Sequence, residues 1–107
     1  LRDRGNMFSE LPNGEIKNIY TLKVANKTKF PQHFVLKVEG VDARVRGADQ
    51  LIAGPSEVLD IDVSLYVVKE KLDASNKDIV FSLYSAGEQP LAAQVATVFM
   101  GPRVKRQ

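Results

Sequence analysis

The stretch Val58-Leu59-Asp60-Ile61-Asp62-Val63-Ser64-Leu65 constrains this chain more than any other. Leu59, Ile61, Val63 and Leu65 fall on one side of an extended chain, and Asp60, Asp62 and Ser64 on the other. A period of two with one apolar and one polar face reads as a strand buried on one side and wet on the other. The same alternation recurs at Ile16, Tyr20, Leu22 and Val24, at Phe34, Leu36 and Val38, and at Ile79, Phe81 and Leu83. No segment holds a helical period. These residues, from Tyr20 through Leu83, form the expected core.

Turn residues punctuate the strands. Pro12-Asn13-Gly14 follows a first strand over Met7–Leu11, and the Asn-Gly pair suits a tight hairpin with positive φ angles. The next strand runs over Glu15–Asn26 and a polar turn over Asn26-Lys27-Thr28-Lys29. A third strand covers Gln32–Glu39 and ends at Gly40. The less regular Val41–Leu51 contains Ala43 and Val45 between arginines, which suggests a short edge strand. The long strand spans Glu57–Val67, with one helical turn expected near Lys69–Leu72. Asp78–Ser85 and Leu91–Met100 complete the set, and Gly101-Pro102 stops it. The last strand is apolar on both faces, so its facing stays open. About seven strands at roughly ten-residue spacing indicate an all-β, immunoglobulin-like sandwich of antiparallel strands. At 107 residues the chain suffices for one domain, residues 1–107, without help from disulfides or metal.

Composition narrows function mainly by exclusion. Zero cysteines rule out disulfides, iron–sulfur ligation and thiol catalysis within these residues. A net charge of +2 is a weak basic bias, with Arg103, Lys105 and Arg106 read as a solvated tail. That is too sparse for a nucleic-acid stripe. No apolar run reaches the about 20 residues a membrane helix needs. The lone His33 is expected to point outward and has no partner ligands. Asp60 and Asp62 are explained by solvent-face alternation. Met7 and Met100 carry thioethers that suit Cu(I), but core filling accounts for them better. Tyr20, Tyr66 and Tyr84 are expected to cap the core with hydroxyls at its rim. No catalytic, metal or cofactor-binding residue is assigned, and no small-molecule substrate is indicated.

Leu1-Arg2-Asp3-Arg4, Asn18-Ile19-Tyr20-Thr21-Leu22-Lys23-Val24, Asn26-Lys27-Thr28, Val38-Glu39-Gly40 and Phe99-Met100-Gly101-Pro102 occur in order. Together they resemble the C-terminal immunoglobulin-like domain of the FixG-type (also CcoG or RdxA) cytochrome oxidase accessory proteins. The resemblance implies a bacterial inner-membrane parent protein that carries two iron–sulfur clusters of the four-iron type elsewhere and supports assembly of cbb3-type cytochrome c oxidase, through copper reduction. It implies that these residues are a fragment following a transmembrane helix, on the periplasmic side, with Arg2 and Arg4 membrane-proximal. Positive residues at a bilayer exit favour the cytoplasmic side instead, which leaves the side open on the residues alone.

The expected role is a non-catalytic accessory or docking domain whose partner is an oxidase subunit or a copper carrier. Strand ends alternate between the two poles of a sandwich. Counting from a membrane-side start puts Asn13 and Gly14, and the corner Gly40, Val41 and Asp42, at the far pole, as the expected partner contacts. Asn26–Lys29 returns to the near pole. The rival readings are a secreted sandwich binding carbohydrate or an adhesin partner, and a copper-binding domain.

Overall fold

A computed structural model describes residues 2–48, 51–72, 75–85 and 91–102; the side chains of residues 2–6 and of Leu91 lie outside that description. The C-terminal cluster Arg103, Lys105 and Arg106 falls outside it too. The strands are β1 (Arg2–Glu10), β2 (Glu15–Ala25), β3 (Gln32–Glu39), β4 (Arg44–Arg46), β5 (Leu51–Ala53), β6 (Val58–Val68), β7 (Asn76–Ser85) and β8 (Leu91–Met100). Among the described residues one 3₁₀ turn, Lys69–Lys71, follows β6. The first sheet has the order β1-β2-β6-β4 and the second β5-β3-β7-β8. All pairings are antiparallel. Among the described strands, β1–β2 and β7–β8 are the consecutive pairs that neighbour each other in one sheet; the order otherwise alternates from sheet to sheet, as a sandwich requires.

Strand β2 shows how the local pattern becomes a layer. Ile16, Asn18, Tyr20, Leu22, Val24 and Asn26 are all buried, while Ile19, Lys23 and Ala25 between them are exposed. Its partner β6 buries Val63, Leu65 and Val67 beside them, and β7 supplies Ile79, Phe81 and Leu83 from the opposite sheet. At the centre, the Tyr20 and Phe81 rings meet edge to face with centroids 5.0 Å apart and planes at 73°. Such a pair contributes about 0.5–1.5 kcal/mol beyond its buried area. Strands β2 and β7 are the two that a disulfide joins in antibody domains; here an aromatic contact spans the same gap.

The all-β sandwich is as expected, with eight strands among the described residues, the short Leu51–Ala53 pairing with β3 at Gln32–Phe34. Finer expectations are corrected. The first strand starts at Arg2 rather than Met7 and contains a bulge between Asp3 and Asn6. The hairpin turn has one positive φ, at Gly14 (88°), and none at Asn13. Gly14 N–H donates to Leu11 C=O, and Leu11 N–H donates to Glu15 C=O. This is a three-residue hairpin ending in a left-handed glycine. Pro12 fixes φ near −65° and so suits the first turn position.

Phe34, Leu36, Val38, Leu59 and Ile61 face inward but are only half-buried. β5 flanks β3 only at Gln32–Phe34, and β4 flanks β6 only at Ser64–Tyr66, which leaves Leu36, Val38, Leu59 and Ile61 near open margins. Tyr20 is buried as expected, but Tyr66 and Tyr84 are not core caps. Each lies on an outer face beneath cations: Lys17 Nζ at 5.5 Å and the Arg44 guanidinium at 4.5 Å from the Tyr66 ring, and Lys37 Nζ at 5.2 Å from Tyr84. The open question of β8 is resolved by Phe99, which is buried opposite Lys77, and by Val95 and Ala93, which pack on the core. Gln94 lies on the outer face and donates to Ser82 Oγ at 3.1 Å.

Candidate docking surface

The topology gives the sandwich two ends. The hairpin pole carries Leu11–Gly14, the β3–β4 corner, the 3₁₀ turn and the end of β8. The entry pole carries the start of β1, the loop from Asn26 to Pro31, the β5–β6 turn and the start of β8. Arg2 pairs with Lys23 and Val58 with Ala25, which puts these strand ends together at the entry pole. The expected sorting of loops holds as geometry. Asn13 and Gly14 share a pole with Gly40, Val41 and Asp42, opposite Lys27.

The 3₁₀ turn joins the two corners of the hairpin pole. Lys69 N–H donates to Gly14 C=O at 3.1 Å, and Lys69 Nζ pairs with Glu10 at 2.9 Å. Two residues on, Lys71 Nζ pairs with Asp42 at 3.0 Å. Arg44 pairs with Glu15 at 3.2 Å, and the Asn13 amide donates to the same Glu15 oxygen at 2.8 Å. The result is a polar, mixed-charge surface built from three separate chain segments. Its ion pairs are exposed, so each is worth about 0–1 kcal/mol. They orient side chains more than they stabilise the fold.

The five expected contact residues divide by role. Asn13 and Asp42 present exposed side chains. Gly14 has open space where a Cβ would stand. Gly40 has φ 104°, and a Cβ there would lie 2.5 Å from the Asp78 carbonyl oxygen, so this corner admits only glycine. Val41 is corrected: it is half-buried and packs against the core, so it anchors the corner and presents little to a partner. Arg2 lies at the entry end of β1, and Arg4 falls in its bulge; their side chains lie outside the described residues.

Two buried asparagines stand out beyond these expectations. Asn18 Nδ2 donates to Met100 C=O at 2.8 Å, and Met100 N–H donates back to Asn18 Oδ1 at 2.9 Å. The Tyr20 hydroxyl donates to Val98 C=O at 2.8 Å. Side chains of the first sheet thus bond the backbone of β8 in the second. Asn26 does comparable work at the entry pole. Its Nδ2 faces the carbonyls of Phe30, Gly54 and Ala53 at 2.8, 2.9 and 3.1 Å, and its Oδ1 accepts from Thr28 N–H at 2.9 Å. The signal was in the alternation: positions 18 and 26 continue the inward face of β2, and a polar group there must find partners. Among the described residues no buried side-chain polar atom lacks one.

His33 is exposed on the outer face of the second sheet, across from Ile52. Asp60 and Asp62 lie on the outer face of the first, and Asp62 accepts from the Thr21 hydroxyl at 3.0 Å. Met7 pairs with Ile19 on that same outer face and is 75% exposed, so it fills no core. Met100 belongs to the second sheet, across from Asn76. The two thioethers therefore project from different faces. Among the described residues, no three His, Asp or Glu side chains gather to hold a metal ion.

Two layers of antiparallel strands, in this order and with this pair of central strands, define an immunoglobulin-like β-sandwich. Residues 1–102 match the family described as "IG-like fold at C-terminal of FixG, putative oxidoreductase", and the chain belongs to that family. It is similar to the FixG-related protein from Vibrio parahaemolyticus, with 32% identity and a TM-score of 0.79, over 94% of this chain and 91% of that one. A protein from Archaeoglobus fulgidus shares the fold, with 14% identity and a TM-score of 0.51 over 94% and 96% of the two chains. Comparison with curated proteins finds no match.

Proposed function

We propose that this domain is a docking module rather than a catalytic one. It serves a membrane-bound iron–sulfur oxidoreductase that supports cbb3-type oxidase assembly and copper reduction. In this reading the domain stands on the periplasmic side, tethered through an upstream helix, with Arg2 and Arg4 nearest the bilayer. Its hairpin pole meets an oxidase subunit or a copper carrier. The carrying observation is the convergence of the β1–β2 turn, the β3–β4 corner and the 3₁₀ turn on one pole, opposite the start of β1. Loops held on a rigid scaffold are the usual sites of contact. The family assignment supports the setting.

Site-specific photo-crosslinking in the full-length membrane protein tests the reading. Crosslinks to an oxidase subunit or copper carrier are expected from positions 13 and 42, and none from position 27. The reverse pattern discards docking at this pole. A second measurement addresses chemistry. The isolated domain is expected to bind no iron–sulfur cluster and to leave Cu(II) unreduced in a cuprous-ion assay. Tight stoichiometric copper binding, abolished by changing Met7, Met100 or His33, would favour the copper-binding reading instead.

A further inference from the structure

The loop after β2 holds an aromatic side chain in water by design of its hydrogen bonds. Phe30 is 70% exposed, the most exposed aromatic residue among those described. Its backbone is nonetheless fixed. Phe30 C=O accepts from the buried Asn26 Nδ2 at 2.8 Å and lies 2.9 Å from the Thr28 hydroxyl, and Phe30 N–H donates to that hydroxyl at 3.3 Å. Pro31 follows and stiffens the exit. The loop is therefore ordered from within, and nothing in the core calls for an aromatic at its tip.

What surrounds the ring has a clear character. Lys27 and Lys29 are exposed on the same short loop. Ile52 and Val58, about half exposed, stand at the same pole but on the outer faces of the two different sheets, to either side of the loop's end of the sandwich. The acidic residue of the neighbouring turn, Glu57, directs its carboxylate to Gly54 N–H at 2.9 Å. Beside the loop is an open hollow of about 340 Å³, lined by Asn26, Lys27, Thr28, Gln32, Phe34 and Ser85. A protruding apolar ring and two exposed cations on one short, ordered loop match an anionic bilayer surface. There an aromatic ring settles at the headgroup level and lysines meet anionic phosphates. Because the loop is pre-ordered, little conformational entropy is lost on contact.

We infer that the Lys27–Phe30 loop is an interfacial lipid-contact element, which inserts Phe30 into the headgroup region of an anionic membrane while Lys27 and Lys29 bind its phosphates. The inference stands on the loop alone. It neither needs the hairpin-pole docking reading nor falls with it.

The chain contains no tryptophan, so Phe30→Trp creates a single fluorescent reporter at the tip. With vesicles containing phosphatidylserine at low salt, its emission is expected to shift to the blue and to be quenched by lipids brominated along their acyl chains. Neutral phosphatidylcholine vesicles should give little shift. Asn13→Trp, at the opposite pole, should give none. Reversing Lys27 or Lys29 to Glu should weaken partitioning at least roughly fivefold each. Absence of a shift on anionic vesicles, an equal shift from position 13, or equal binding to neutral vesicles would overturn the inference. A shift with poly-glutamate but not with vesicles would assign the loop to an acidic protein partner and overturn it as well. Should the tryptophan variant fail to fold, co-sedimentation of the unaltered chain against the Lys27→Glu/Lys29→Glu double variant decides, and equal pelleting counts against the loop.

Discussion

The two poles of this sandwich are held in opposite ways. At the hairpin pole, Lys69, Lys71 and Arg44 pair with Glu10, Asp42 and Glu15 in the open. At the entry pole, one fully enclosed amide, Asn26, gathers Thr28, Phe30, Ala53 and Gly54 around itself. Exposed pairs gain little because water competes for both charges. A buried amide is different: removing it takes a donor from three carbonyls and the acceptor from Thr28 N–H at once, in a place water reaches poorly. One pole can change its surface chemistry at small cost to the fold, whereas the other cannot.

The largest test of that contrast is Asn26→Ala, expected to lower stability by about 2–4 kcal/mol through four hydrogen bonds lost from one buried point. A urea midpoint close to that of the parent would show that the entry-pole loop is held by other means. Asn18→Ala should cost about 2–3 kcal/mol, since Met100 loses partners for both its backbone groups. Amide exchange at Met100 should rise with it, and unchanged protection would mean the edge of β8 is satisfied otherwise. Gly40→Ala at the hairpin pole should cost roughly 1–3 kcal/mol, from positive φ and the close Asp78 carbonyl. It is the exception that sharpens the rule, because its cause is backbone and not charge. The smallest effect belongs to Lys71 and Asp42. A double-mutant cycle should give a coupling under about 1 kcal/mol that shrinks further in high salt. A larger coupling would remove the contrast between the poles.

Much of this architecture is legible in the residues, and the gaps have physical causes. The alternation of Leu22 with Val24 and of Val63 with Leu65 announces two half-buried strands, and both pairs are buried. Strand alternation also sorts the loops correctly as far as Gly40. β5 escapes notice because three residues are too few to show a period. The facing of β8 escapes because Val95 and Val98 are equally apolar, and only packing distinguishes them. Val41 reads as a solvated corner, yet the left-handed backbone at Gly40 turns the chain so that the valine meets the core. Phe30 is silent in the pattern, lying between a polar turn and a proline with no strand around it. Asn18 and Asn26 were readable as inward positions, but which backbone groups they bind depends on strands far along the chain.

The bonds from Asn18 and Tyr20 to β8 also bear on how the chain reaches its native state. They join residues 82 and 78 positions apart. A chain emerging from the ribosome exposes the β1–β2 hairpin long before Val98 and Met100 exist. Until then the inner face of β2 carries an amide and a hydroxyl whose β8 partners are missing, which makes burying that face early more costly. The last strand completes both the core, through Phe99, and the polar seam. Topologies dominated by such distant pairings fold in about milliseconds to seconds.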